Sequence, residues 1–134
     1  MSDTKKFGDY DSTDEFMSYI RGNMEFDEPT GLYIFPSYGI DTFGLSGPDL
    51  VAFVSQCVVK ALSEGGIPCI PGYPDHDAGW IYEPKYGTTS KEIHDNVLNE
   101  WIANGAGPLE FWTGPWFGLA RDVYPFSEAH EGER

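Results

Sequence analysis

The strongest hydrophobic pattern in the chain runs from residue 50 to residue 62. Ten of these thirteen positions are apolar, and they leave only a narrow polar side that includes Ser55 and Lys60. This spacing predicts a helix that is buried over most of its circumference. Ser46, followed by proline and aspartate, predicts the start of the helix, and the two glycines at 65–66 predict its end.

Two further segments have apolar residues at helical spacing. In the segment 93–102 these residues line one face, behind a capping box formed by Thr89 and Glu92. The segment 13–24 follows a similar pair, Ser12 and Glu15. The sequence therefore predicts about three helices.

Short runs of β-forming residues, bounded by glycine and proline, lie between and after these helices. The run at 67–71 contains two prolines, so we expect its strand to be short or to lie at a sheet edge. The predicted strands are Leu32–Phe35, Ile67–Pro71, Trp80–Tyr82, Leu109–Trp112 and Leu119–Val123. The first of them is fully apolar and is expected to be buried on both faces. For the last, a short helix within 114–123 is the alternative.

This order of elements predicts an α/β fold, with α+β as an alternative: about three helices packed on a small mixed sheet of about four strands. The length of 134 residues is that of one domain, so we expect a single domain over residues 1–134. Its polar ends, about 1–11 and 127–134, are expected to be flexible.

Charge is the most unusual property of the composition. Asp and Glu number 22 against 8 Lys and Arg, which gives a formal net charge of −14 and a sequence pI near 4.3. Binding to nucleic acid or to an anionic membrane requires a cationic surface, so both are excluded as expected partners. The acidity favours rapid encounter with basic proteins, although solubility alone also accounts for it.

The two cysteines, Cys57 and Cys69, lie in apolar runs and are expected to be small buried side chains of a reducing compartment. The N-terminus has no apolar stretch behind it, so we expect no signal peptide. No run approaches the ~18 apolar residues of a membrane span. The expected location is cytoplasmic.

The loop at 75–77 is the one local cluster of groups suited to chemistry. Asp75, His76 and Asp77 together could bind a metal or form an acid–base pair. Alternation along an extended chain turns His76 away from the two carboxylates, and a further ligand would have to come from elsewhere. His94 fits better as a residue at the boundary of the third helix. We therefore predict no metal, no cofactor and no catalytic residue.

Aromatic residues alternate with acids around the same loop, and they recur in the segment 111–117. Trp112 and Trp116 flank a Gly-Pro turn, so one of the two is expected to face outward. Tryptophan and tyrosine dominate the binding energy of protein interfaces. The predicted partner-binding residues are Tyr73, Asp75, Asp77, Trp80, Tyr82, Glu83, Trp112 and Trp116.

The leading hypothesis from the sequence is a non-catalytic acidic protein that docks on a basic protein and neutralises it. Immunity proteins that inhibit nuclease-like toxins of competing bacteria have this physical character. The alternatives are a small metal-dependent hydrolase built on Asp75–His76–Asp77 and a self-assembling phage or secretion-system component. A homodimer is compatible with each of them.

Overall fold

A computed structural model describes residues 12–26, 29–72, 79–110 and 113–126. The predicted flexible ends lie outside these residues. Helices alternate along the chain with the strands of one four-stranded sheet, which confirms the predicted α/β class. The elements are α1 Thr13–Ser18, α2 Ile20–Phe26, β1 Thr30–Gly31, α3 Ile34–Asp41, α4 Gly47–Ser63, β2 Ile67–Pro71, β3 Trp80–Tyr82, α5 Ser90–Ala103 and β4 Trp116–Gly118, with 3₁₀ helices at Pro84–Tyr86 and Ala120–Asp122.

Helix α4 is the predicted central helix, and it contacts each of the other four α-helices. Ser46 is its N-cap residue, as expected, but the serine hydroxyl makes no capping hydrogen bond. Gly65, with a φ of 97°, follows the C-cap and turns the chain away. The inner side of the helix is buried to within 4% exposure at Leu50, Phe53, Val54, Cys57, Val58 and Ala61.

The predicted helix over 13–24 is divided into α1 and α2 at Tyr19. The Ser18 hydroxyl donates to the Glu15 carbonyl oxygen at 2.7 Å, and the Tyr19 amide donates three residues back to Phe16 at 3.1 Å. A side-chain donor therefore occupies the carbonyl that would continue the α-helical ladder. The apolar face continues across the break through Phe16, Ile20 and Met24, all of them buried.

The predicted strand Leu32–Phe35 is wrong, because the chain forms β1 just before it and α3 from Ile34 onward. The run was predicted to be buried on both faces; Leu32 and Phe35 are buried, whereas Tyr33 and Ile34 are only partly so. Burial on all sides does not distinguish a strand from a helix. Pro36 lies in the first turn of α3, where its missing N–H leaves no helical bond unmade.

The sheet has the order β1-β4-β2-β3, and all three strand pairs are antiparallel. An isolated parallel bridge joins Ile81 to Tyr124 at the outer side of β3. Strand β2 has the predicted bounds, but it is the longest of the four strands and is central, so the expectation of a short or edge strand is wrong. Its prolines are tolerated because Pro71 lies beyond the residues that pair with β4, while the Pro68 carbonyl still accepts from the Glu83 amide at 2.9 Å.

The last third of the chain was predicted less well. The capping box of α5 is confirmed, since Thr89 and Glu92 each accept from the backbone amide of the other. In the predicted strand at 109–112, residues 109–110 have no regular structure and the other two lie outside the described residues. The strand favoured for 119–123 is wrong, and the alternative of a short helix agrees with the 3₁₀ helix Ala120–Asp122. The strand is β4, three residues earlier, and a 3₁₀ helix follows it.

Two helical glycines offer a test of how closely α3 packs on α4. A Cβ atom at Gly39 would lie 2.6 Å from Leu50 Cδ1 and 3.0 Å from Phe53 Cδ2, whereas one at Gly22 in α2 would meet nothing within 4 Å. We expect Gly39→Ala to lower the free energy of unfolding by about 1–2 kcal/mol through overpacking. Gly22→Ala should raise it by up to about 1 kcal/mol, because alanine is the better helix former.

Urea unfolding of both variants measures these changes. Effects of the same sign at the two positions would contradict the described contact between α3 and α4.

Candidate partner-binding surface

The strand register sorts the side chains of the sheet onto two faces, because directly opposite residues of an antiparallel pair point to the same side. Phe117 lies opposite Thr30 and Pro68, and its ring stacks on Phe35 with 6.3 Å between centroids. This is the face that packs on the helices. The opposite face, here called the outer face, carries the neighbouring residues of each strand: Gly31, Trp116, Cys69, Pro71, Trp80 and Tyr82.

The segment after β4 covers part of the outer face. Val123 and Cys69 are both fully buried, although neither belongs to the main cluster of core side chains. A Cβ atom at Gly118 would lie 3.1 Å from Val123 Cγ2, so the returning chain passes directly over β4. Tyr124 then exchanges backbone hydrogen bonds with Trp80 and Tyr82 at the edge of β3.

The remaining part of the outer face carries three aromatic rings in sequence, here called the aromatic row: Tyr33, Trp116 and Trp80. The Tyr33 and Trp116 ring centroids are 5.5 Å apart, and those of Trp116 and Trp80 are 5.0 Å apart. All three side chains are partly buried and keep some surface in contact with solvent. Mutual packing fixes the rings, so they can contact a partner with little further loss of side-chain entropy.

Four of the eight predicted partner-binding residues are described. The structure brings Trp80 and Trp116 into contact and places Trp116 outward, as the turn at Gly-Pro suggested. Tyr82 shares their face, but its ring packs edge-on against Phe126 at 5.2 Å. Glu83 accepts a hydrogen bond from the Lys85 amide and caps a 3₁₀ helix. The other four, Tyr73, Asp75, Asp77 and Trp112, lie outside the described residues.

Sequence reasoning missed Tyr33, because the run that contains it was assigned to a buried strand. The short β1 and the turn into α3 instead place its ring against the backbone of Gly31, where a Cβ atom would lie 2.6 Å from Tyr33 Cδ1. The signal available in the sequence was Gly31, two residues before Tyr33. It marks a position where a ring lies against the backbone.

A polar cluster of Ser55, His94 and Asp95 bridges α4 and α5. The Ser55 Oγ lies 2.7 Å from His94 Nε2, and His94 Nδ1 lies 2.9 Å from Asp95 Oδ1. This is the order of groups that activates a serine nucleophile. The pKa of the Asp95 carboxyl is lowered, first by its hydrogen bond with Lys91 at 2.6 Å and then by the one with His94.

The position of Ser55 argues against a catalytic role for this bridge. Ser55 lies in the interior of a 17-residue helix, whose backbone amides donate within the helix. Those amides cannot stabilise an oxyanion beside Oγ. The Asp95 carboxylate also binds Lys91, so it does not interact with the His94 imidazole alone. We interpret the group as a satisfied polar bridge between two helices, and His94 lies well inside α5, four residues after its first residue.

Other candidate chemistry is weaker still. Burial raises the pKa of the Cys57 thiol, and burial together with the nearby Asp122 carboxylate raises that of Cys69 to about 12. Both are free and buried, as predicted, and their thiols would be poor nucleophiles. The loop Asp75–His76–Asp77 lies outside the described residues. Among the residues that are described, no three His, Cys, Asp or Glu side chains group to hold a metal ion.

Comparison with models of protein families, with curated proteins and with solved structures gave no match. In the described part of the chain, no helix has the length and apolar character needed to cross a membrane.

The contact between Trp80 and Trp116 can be tested by circular dichroism. Indole rings at 5.0 Å couple their electronic transitions and give an exciton couplet. We expect either Trp80→Phe or Trp116→Phe to abolish that couplet. Trp101→Phe is the matched control, since Trp101 is buried in the helical core and donates to the Gly107 carbonyl. A couplet that survives both substitutions, or disappears in the control, would contradict the described outer face.

Proposed function

We propose that this chain is a non-catalytic acidic binding protein that docks on a basic protein and neutralises it. The observation that carries this proposal is the aromatic row on the outer face of the sheet, in a chain of net charge −14. Immunity proteins that block nuclease-like toxins of competing bacteria are the class with this combination of properties. The assignment to that class rests on physical analogy.

The aromatic row supplies anchors for a partner. Tryptophan side chains that are partly exposed and held by neighbouring rings make large contacts at low entropic cost, which is typical of interface hot spots. The faces of these rings also attract arginine and lysine through cation–π interactions. A basic partner surface is therefore better suited to the row than an acidic or neutral one.

The connection between β2 and β3 begins and ends next to the strand residue Trp80, and in the sequence it carries two acidic residues. Gly72 donates to the Gly79 carbonyl at 2.9 Å, so the chain carrying Asp75 and Asp77 leaves and re-enters the sheet beside Trp80. The net charge accelerates encounter with a basic protein, and nearby carboxylates orient it. In the proposed mechanism, this acidic loop covers the active cleft of the partner while the row holds the two proteins together.

The proposal is tested with the wild-type chain as bait in a lysate of its own organism at low salt, followed by a salt gradient. We expect one basic protein to be retained in equimolar amount and released as salt rises. Its purified form should bind Trp80→Ser or Trp116→Ser about 30-fold more weakly or worse, the usual loss at a hot spot. Production of this protein should arrest growth, and co-production of the wild-type chain should restore it.

Tyr19→Ser is the matched control, because Tyr19 is an aromatic residue 50% exposed at the junction of α1 and α2, outside the sheet. Thermal unfolding of each variant verifies that it remains folded. A partner that is not basic, or that binds the tryptophan variants as tightly as wild type, would contradict the proposal.

A further inference from the structure

The segment after β4 lies on the outer face of the sheet as a separate layer. Residues 120–126, here called the latch, begin with the 3₁₀ helix Ala120–Asp122 and return towards β3. Among these described residues Val123 alone is buried, and it is 0% exposed. Its side chain lies above Gly118, where a Cβ atom would be 3.1 Å from Val123 Cγ2. One buried apolar side chain therefore anchors the latch to the sheet.

The backbone of the latch pairs with the edge of β3 as a further strand would. The Tyr82 amide donates to the Tyr124 carbonyl at 2.8 Å, and the Tyr124 amide donates to the Trp80 carbonyl at 2.9 Å. These two bonds make the parallel bridge between Ile81 and Tyr124. An unpaired strand edge is a template for pairing with other chains. The closed latch therefore satisfies backbone groups of β3 that would otherwise be open to such pairing.

Two further contacts of the latch lie at the surface. Arg121 Nη2 donates to the Glu25 carbonyl at 2.7 Å, but the Arg121 side chain is 54% exposed. The Phe126 ring packs edge-on against Tyr82 and is 39% exposed. A segment with few buried apolar contacts and with hydrogen bonds near solvent opens at a lower free energy than the core. The latch has both of these properties.

Cys69 lies under the latch. By register it belongs to the outer face, yet it is fully buried and does not belong to the main cluster of core side chains. Burial, and then the nearby Asp122 carboxylate of the latch, raise the pKa of its thiol. Cys57 is equally buried, but it lies on the inner side of α4 within the main cluster. The chain thus has one free thiol under the latch and one in the core.

We propose that the latch opens as a unit while the helices and the four-stranded sheet stay folded, and that opening exposes Cys69 and the edge of β3. In the closed state the latch keeps this edge from pairing with another chain. In the open state more of the outer face is accessible beside Trp80. This inference does not depend on the proposed function, because it concerns the free chain and the reactivity of its own thiols.

Alkylation of the reduced, full-length chain with iodoacetamide under native conditions tests the proposal. Trypsin cleaves after Lys60, so Cys57 and Cys69 fall on different peptides and mass spectrometry measures the two rates separately. The rates in the urea-unfolded chain are the reference from which the protection of each thiol is calculated. We expect Cys69 to be protected at least about 100-fold less than Cys57. Its rate should also rise less steeply with sub-denaturing urea, because opening of the latch exposes little surface.

Two valine-to-alanine substitutions separate the latch from the core. Val123→Ala should raise the alkylation rate of Cys69 about tenfold, because it removes methyl groups that are buried only while the latch is closed. Val97→Ala is the matched control, since Val97 is also 0% exposed but lies in α5. It should speed the alkylation of Cys57 and leave Cys69 as in the wild type, because the core is intact whether the latch is closed or open.

Equal protection of the two thiols in the wild type would overturn the proposal, because Cys69 would then react only through global unfolding. A Val97→Ala variant in which both thiols react faster by the same factor would overturn it too. So would a Val123→Ala variant whose Cys69 reacts as in the wild type. The comparison of the two thiols in the wild type decides the matter even if a variant fails to fold.

Discussion

Burial of the inner side of α4 is the interaction on which the rest of the structure depends. This helix contacts all four other α-helices, and its inner side chains are at most 4% exposed. Gly39 allows α3 to approach it closely, and Gly66, just after its end, lies against Phe117 of the sheet. Because the inner side of α4 is already packed against these elements, only its outward side can make other contacts. Within residues 12–26, 29–72, 79–110 and 113–126, two regions then keep contact with solvent: the hollows between α4 and α5, and the part of the outer face that carries the aromatic row.

These two regions differ in chemistry. The outer face presents packed aromatic rings, whereas the hollows between α4 and α5 are lined by aliphatic and polar side chains together. Contacts between opposite charges weaken as salt rises, while contacts between like-charged molecules strengthen. Rising salt should therefore weaken the proposed docking of a basic partner on the outer face.

The parts of the fold that were predictable carry local signals. The helices α4 and α5 have caps, glycine stops and long apolar stripes, so their positions follow from nearby residues. The prediction of a strand at Leu32–Phe35 was wrong, because an apolar run of four residues is equally compatible with a buried strand and a buried helix. Strand β2 is central despite its prolines, because neither proline occupies a position where the sheet needs its amide. Pro71 lies beyond the residues that pair with β4, and Pro68 takes part through its carbonyl. Which residues of β2 pair with its neighbours depends on the strand register, and local sequence does not specify that register.

The candidate surface was partly predictable for the same reason. Individual tryptophans could be identified as interface anchors, and one of the pair at 112 and 116 was expected to face outward. The contact of Trp80 with Trp116 depends on both β3 and β4 pairing with β2, at positions far apart in the chain. The Ser55–His94 bridge joins residues 39 positions apart on two helices, and helical periodicity alone does not pair them.

Hydroxyl-radical footprinting of the chain, with and without its bound basic partner, tests the central claim most directly. The method reports how far solvent reaches each side chain. The account predicts that the partner protects Trp80 and Trp116 from oxidation and leaves Val59 and Ile102 as reactive as in the free chain. Unchanged reactivity at both tryptophans, with protection confined to the helical layer, would contradict it.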